Sequence, residues 1–155
     1  MGNFTGPMHL SPGAFNVVDS AAAFAVGTRA EDGSGNQFIY LTGLATTAIG
    51  SVVTYDEAGV TALAVANGVG PIAAAMSASV ANKYGWYQIG GSASALTASD
   101  VADNAAVYLT ATPGSIDDAV VAGDRVKGAI TRAARTGAGL VSVQLYSPFV
   151  DDIAD

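Results

Sequence analysis

Two stretches of the chain decide the fold: SVVTYDEAGVTALAVANG at residues 51–68 and AVYLTATPGSIDDAVVAG at residues 106–123. At an offset of 55 residues, several small or apolar residues coincide, among them Gly59 with Gly114, Ala64 with Ala119, Val65 with Val120, and Gly68 with Gly123. Each stretch holds two short apolar runs around a glycine. This pattern is typical of a β-hairpin, because a residue without a Cβ adopts a positive φ at little cost.

The match continues beyond the hairpins with small gaps, pairing residues 70–72 with 128–130 and residues 86–89 with 142–145. The sequence therefore predicts two weakly repeated four-stranded units, at about residues 50–92 and 105–148, in a small all-β barrel or sandwich. A chance match is the alternative, since alanine and glycine together supply 50 of the 155 residues.

Apolar runs of four to eight residues, separated by Gly, Asn, Asp or Pro, predict strands from Gln37 onward. We expect them near residues 37–42, 51–55, 60–65, 71–77, 84–90, 92–97, 106–111, 115–121, 125–132 and 140–146. Residues 71–83 also fit a helix, with Pro71 in its first turn and Ile72, Met76 and Val80 on one face. The repeat favours a strand there, and residues 100–104 could form one helical turn.

The first 35 residues differ from the rest, because turn-forming clusters of Gly, Pro, Ser and Asp separate isolated apolar residues. This segment cannot form a core of its own. We interpret residues 1–35 as an extended N-terminal arm, and residues 36–155 as a single β-rich domain. The arm could dock on its own domain or on a neighbouring molecule.

Charge excludes several classes of partner. Six Lys and Arg against thirteen Asp and Glu give a net charge of -7, and charged residues make up 12% of the chain. Proteins bind phosphate backbones through Lys and Arg, so we expect no nucleic acid partner. We also expect no membrane partner and a soluble chain made in a cytosol, because no apolar run is long enough to span a bilayer and no signal-peptide pattern is visible.

The residues needed for most site chemistry are missing from this sequence. It contains no cysteine and one histidine, His9, without a carboxylate spaced for a metal site. Its paired acids are neighbours in sequence, so on a strand they would point to opposite faces and could not act together in a hydrolase. The sequence therefore predicts no cofactor, no metal site and no enzymatic activity.

The densest aromatic cluster is Tyr84-Gly85-Trp86-Tyr87. Strand alternation places Trp86 on one face and Tyr87 on the other. We interpret one face as core and the other as covered by the arm or by a subunit. The alternative is a platform on which carbohydrate stacks.

Several stretches together resemble the head decoration, or capsid cement, proteins of tailed bacteriophages. They are Phe24-Ala-Val-Gly-Thr28 leading through Gly33 to Tyr40, Val52-Val-Thr-Tyr-Asp56, Asn82-Lys-Tyr-Gly-Trp-Tyr-Gln-Ile89, Asn104-Ala-Ala-Val-Tyr-Leu-Thr-Ala-Thr112, Asp118-Ala-Val-Val-Ala-Gly-Asp124 and Pro148-Phe149-Val150. The similarity covers roughly residues 20 to 150 and consists of turn and strand patterns without a catalytic signature.

The resemblance implies a compact, β-rich virion protein that binds the outer surface of the capsid. Its partner would be the major capsid protein, and it would stabilise the shell by bridging neighbouring capsomers as a homotrimer. A virion-displayed receptor or carbohydrate-binding module is the alternative function. From the residues themselves, we expect partner contacts at apolar positions of the arm and at charged or apolar positions near the C-terminus: Phe4, Met8, His9, Leu10, Phe15, Arg125, Lys127, Arg132 and Phe149.

Overall fold

The computed structural model describes residues 8–79 and 81–153, which form twelve strands and one short 3-10 helix (Pro12–Asn16). The strands are β1 (Met8–His9), β2 (Val18–Asp19), β3 (Arg29–Glu31), β4 (Gln37–Thr42), β5 (Val52–Tyr55), β6 (Thr61–Leu63), β7 (Gly70–Ala75), β8 (Tyr84–Thr97), β9 (Ala106–Leu109), β10 (Ile116–Asp117), β11 (Arg125–Thr131) and β12 (Gly139–Val150). The prediction of an all-β fold is confirmed.

Both helical alternatives are wrong within the described residues. The segment after Gly70 forms β7, where Ile72 and Ala74 face one apolar cluster while Ala73 and Ala75 face another. This alternation buries both faces of a strand, which a helix of the same residues could not do. Val80, which a helical face would have needed, lies outside the described residues. In the segment 100–104, Val101 forms a β-bridge with Arg135 instead of a helical turn.

The two predicted units have the same strand order. In the first unit β6, β5, β7 and β8 lie side by side, and in the second β10, β9, β11 and β12 do so. The aligned glycines Gly59 and Gly114 both have positive φ, at 73° and 79°. Antiparallel pairing of β8 with β12, from Gly90–Tyr146 to Thr97–Gly139, joins the units.

Five strands close into a ring in the order β8, β10, β9, β11, β12 and back to β8. One junction is much narrower than the others, because β8 and β10 share a single parallel residue pair, Thr97 with Ile116. The Ala98 N–H extends that junction by donating to the Ile116 carbonyl at 3.0 Å. The five strands therefore form a closed ring, in which the junction between β8 and β10 has the fewest paired residues.

Strand β8 runs without interruption through Gly90 and Gly91, so the prediction of two strands at 84–90 and 92–97 is wrong. The strand bends instead: Gly91 has a φ of +87°, and a Cβ at this position would meet the Asn36 side chain. The buried Gln88 amide holds the bend by donating to the Gly90 and Ser92 carbonyls, both at 3.0 Å. Before the bend β8 pairs with β4, and after it with β12.

Two other predicted strand lengths need correction. Strand β12 continues past Pro148 to Val150 rather than ending near residue 146. At Ser147 the backbone adopts a φ of 41° without ending the strand. Residues 146–148 form a bulge there, since Leu145 pairs with Ala129 and Phe149 with Lys127. Strand β10 is only two residues long, and residues 118–121 belong to the following loop.

The buried apolar residues fall into three clusters. The aliphatic core lies between the two units and contains only Ala, Val, Leu and Ile among its fully buried members. A second cluster, which includes Ile39, Val53 and Tyr87, lies between β4, β5, β7 and the first half of β8. The third, the aromatic cluster, consists of Phe15, Ala30, Phe38, Tyr40 and Trp86.

Candidate interaction surfaces

The N-terminal arm packs on its own domain from Met8 onward. Strand β1 pairs in parallel with β3, and β2 pairs with the start of β8. Between them the 3-10 helix carries Phe15, whose side chain has no solvent exposure. The Phe15 ring stacks on Phe38 at a centroid distance of 3.7 Å and meets the edge of Trp86 at 5.3 Å.

This packing changes the set of expected partner contacts. Phe15 is a core residue of its own chain, so its prediction as a partner contact is corrected: the ring is already enclosed by Phe38 and Trp86. Met8 and Leu10 are partly buried against the same cluster, whereas His9 is exposed beside β3. Phe4 lies outside the described residues.

Both faces of the segment around Trp86 are covered, as the sequence predicted, one by the arm and the other by the core of the domain. Trp86 is 2% exposed, and Phe24 of the arm lies against it with ring centroids 5.3 Å apart. On the opposite face Tyr87 is buried beside Ile89 and Val53. A sugar-stacking platform on Trp86 is therefore excluded by this packing.

Three loops come together at one end of the molecule, which we call the loop end: residues 64–70, 118–124 and 149–153. The buried Asp124 carboxylate accepts a hydrogen bond from the Asn67 N–H and so ties the first two loops together. The Lys127 ammonium lies 2.8 Å from Asp151, and Val150 pairs with Gly70 in the sheet. The first contact ties the third loop to β11, and the second ties it to the first loop.

The loop end exposes large apolar side chains from all three loops. Val120 is 80% exposed, and the other members are also open to solvent: Val65, Val69, Val121, Phe149 and Ile153. Val65 and Val120 occupy equivalent positions in the two repeats. Exposed apolar surface is typical of protein interaction sites, so the loop end is the candidate interaction surface of the described residues.

Three of the expected C-terminal contacts lie at this end and one does not. Lys127 pairs in register with Phe149, and Arg125 precedes it on β11. Arg132 follows the last residue of β11 at the far end of that strand, where its guanidinium donates to the Asn104 side chain at 2.7 Å. Sequence reasoning did not single out the exposed Val65 and Val120, although their equivalent positions in the two repeats were a signal that could have found them.

Carboxylates of the paired acids accept hydrogen bonds from groups of the fold. Asp56 accepts the N–H groups of Ala58 and Val60 within the β5–β6 turn, and Asp118 accepts that of Ala102. Burial raises the pKa of Asp117, and the neighbouring Asp118 charge raises it further. The Lys127 hydrogen bond lowers the pKa of Asp151, so this carboxyl group is ionised at neutral pH. Asp56, Asp118 and Asp151 therefore each bond a partner within the fold.

Within residues 8–79 and 81–153, no group of three or more His, Asp or Glu side chains is placed to hold a metal ion. The same residues include no helix with the length and apolar character needed to cross a bilayer. No protein-family model, curated protein or solved structure matches the chain.

Proposed function

We propose that this chain is a structural virion protein that binds the outer surface of a phage capsid and stabilises the shell by bridging neighbouring capsomers as a trimer. The observation that carries the proposal is the loop end, where three loops expose apolar side chains on a domain of low charge. The resemblance of the turn and strand patterns to capsid decoration proteins supplies the identity of the partner, the major capsid protein.

Binding to a capsid surface through many weak contacts requires no deep cleft. A fully covered Val or Phe side chain contributes about 1.5 to 3 kcal/mol, so several exposed residues supply a usable contact. Bridging copies on a lattice multiply weak contacts through their effective concentration. Because the protein binds only the assembled shell, binding shifts the equilibrium toward that shell.

Co-sedimentation with undecorated shells of the encoding phage tests the proposal. We expect the full chain to sediment with shells and to raise the temperature at which they release their contents. A full chain that stays in the supernatant at all concentrations would overturn the capsid proposal. Sedimentation equilibrium of the chain alone tests the trimer in the same preparation.

A matched pair of variants locates the contact. Phe149→Ser removes an apolar side chain that is 45% exposed at the loop end, and Leu140→Ser removes one that is 44% exposed. The two lie nine positions apart on β12, roughly 30 Å along an extended strand. We expect Phe149→Ser to weaken shell binding and Leu140→Ser to leave it unchanged.

The part played by the arm needs a mild truncation. Removing residues 1–20 would also remove Phe15 and expose Phe38 and Trp86, so a loss of binding could reflect damage to the domain. A chain that begins at Met8 keeps the buried part of the arm and lacks Phe4. Unchanged shell binding by this chain would remove Phe4 from the set of partner contacts.

A further inference from the structure

A second surface, which shares no lining residue with the loop end, has the composition of a sugar-binding site. A groove of about 530 Å³ lies where the loop before β4 approaches the bend of β8 and the bulge of β12. Its lining includes Asn36, Gln37, Ser92, Gln144, Tyr146 and Ser147, and none of its lining residues carries a charge. The volume falls within the range of roughly 300 to 1,000 Å³ typical of small-molecule sites.

Tyr146 is the aromatic element of this groove. Its side chain is 79% exposed, while the other tyrosines on β4 and β8 pack into clusters. The bulge at residues 146–148 gives Tyr146 this position, because it interrupts the pairing of β12 with β11 between Leu145 and Phe149. An exposed ring offers an apolar face for the C–H groups of a sugar and a hydroxyl at its edge.

The polar groups of the groove are held in place. The Asp32 carboxylate accepts the N–H groups of Ser34 and Asn36 at 2.8 and 3.0 Å, and the Asn36 side-chain amide at 2.7 Å. Partial burial opposes ionisation of Asp32, but these hydrogen bonds lower its pKa below the usual 3.8. Asn36 Oδ1 in turn accepts the Ser92 N–H at 3.0 Å, which fixes the loop to β8.

Two glycines in the lining let polar side chains lie directly against the backbone. The Gln37 side chain fills the space beside Gly90, and the Asn36 side chain fills the space beside Gly91. Gln144 and Ser92 are cross-strand neighbours on the same face. Carboxamide and hydroxyl groups donate and accept hydrogen bonds equally well, as the hydroxyls of a sugar require.

We propose that this groove binds a neutral glycan, with Tyr146 stacking against a sugar ring and the Asn36, Gln37 and Gln144 carboxamides bonding its hydroxyls. The absence of charged lining residues selects against acidic sugars, because a bound carboxylate or sulfate would lose water without gaining a cation. The proposal is independent of capsid binding. A chain that failed to bind shells could still bind glycans here.

Affinity electrophoresis through gels containing dextran, galactomannan or starch tests the proposal, with alginate as an acidic contrast. We expect at least one neutral polysaccharide to retard the full chain and alginate to leave its mobility unchanged. Tyr146→Ala should weaken retardation roughly ten-fold, the usual scale for losing a central aromatic anchor. Tyr146→Phe keeps the ring and should retain most of the binding.

The control is Leu140→Ala, which removes an exposed apolar side chain at the other end of β12 and should not change retardation. Melting temperatures of all variants establish that the fold survives. The glycan proposal is overturned if none of the three neutral polysaccharides retards the chain, or if Tyr146→Ala binds as well as the unaltered chain. A change of oligomeric state in Tyr146→Ala without a change in retardation would assign the groove to a contact between copies.

Discussion

The aliphatic core and the aromatic cluster are built from different materials and closed in different ways. The aliphatic core contains fifteen buried residues, all Ala, Val, Leu or Ile, contributed by β5 to β12 and the segments between them. The aromatic cluster takes Phe38 and Tyr40 from β4, Trp86 from β8 and Phe15 from the arm. The first is closed by the two repeated units, the segment between them and the end of β12, without the arm, whereas the second needs the arm.

The difference shows that small side chains let the strands around the aliphatic core pack closely. Ala93 and Ala95 face the aliphatic core from β8, where the strands of the two units approach closely around a void of about 10 Å³. In the aromatic cluster, by contrast, large rings span the distance between β8 and the arm. Strand β8 belongs to both regions and changes from one to the other at Gly90 and Gly91.

The largest expected effect comes from removing the arm's contribution to the aromatic cluster. Phe15→Ala would delete a fully buried ring between Phe38 and Trp86, and such truncations cost about 3 to 5 kcal/mol of unfolding free energy. Trp86 fluorescence should move to longer wavelength as water reaches the indole. Urea unfolding followed by fluorescence measures both effects.

Val17→Ala is the control for the Phe15 variant, because Val17 lies in the same segment and is half exposed. We expect it to change the unfolding free energy by less than about 0.5 kcal/mol. A loss below about 1 kcal/mol in Phe15→Ala would contradict the view that the arm closes the aromatic cluster.

The bend of β8 at Gly90 and Gly91, which we call the joint, connects the two regions. Substitutions there should have the next largest effect on stability. Gly91→Ala would force an alanine to a φ of +87° and drive its Cβ against the Asn36 side chain. Strain of this kind costs about 1 to 3 kcal/mol, and displacing Asn36 also breaks its bond to the Ser92 N–H, worth about 1 kcal/mol. Thermal and urea unfolding should therefore show a loss of about 2 to 4 kcal/mol.

Gly35→Ala separates the two causes. Gly35 has a similar φ of +82°, but nothing lies within 4 Å of a Cβ built there. It should lose only the conformational part of the stability. Equal losses in the two variants would show that contact with Asn36 contributes nothing to the bend.

The same joint marks the limit of what the sequence could predict. Runs of apolar residues located the strands, and the repeat predicted two similar four-stranded units, because both signals are local or recur at a fixed offset. The pair Gly90-Gly91 indicates a turn by its composition, yet the strand continues because β4 and β12 pair with its two halves. Pairing partners distant in the sequence decided that outcome.

Side-chain environments were harder to predict for the same reason. Phe15 stands alone among turn residues, so no periodicity marks its burial beneath Trp86. The groove at the bend of β8 is lined by Asn36 and Gln37 together with Gln144 and Tyr146, about a hundred positions away in the sequence. Only the repeated valines of the loop end carried a signal visible in the sequence.

Overfilling the aliphatic core should cost less than disturbing the joint. Ala95→Leu adds three carbon atoms beside a void of about 10 Å³, which has room for about one water molecule at most. Overpacking of this kind costs about 1 to 3 kcal/mol in unfolding free energy. Urea denaturation measures the loss. Ala62→Leu on the exposed side of β6 is the control and should change stability by less than about 0.5 kcal/mol.

The smallest expected effect is an alkaline pH dependence of stability to which Tyr40 of the aromatic cluster contributes most. Burial, together with the hydrogen bond that the Tyr40 hydroxyl donates to Asp19, raises the pKa of Tyr40 from 10.0 to about 12. Between those values the unfolded chain loses the phenolic proton while the folded chain retains it. The unfolding free energy should therefore fall as the pH rises through this range.

Urea unfolding at a series of pH values from below 10.0 to about 12 measures this slope. Tyr40→Phe should reduce it, and the part that remains belongs in part to Tyr55, whose pKa burial also raises. Asp19→Asn should reduce the slope less than Tyr40→Phe does, because burial, which that variant leaves in place, is the larger cause of the shift. If Tyr40→Phe kept the full slope, the alkaline loss of stability would have to arise outside the aromatic cluster.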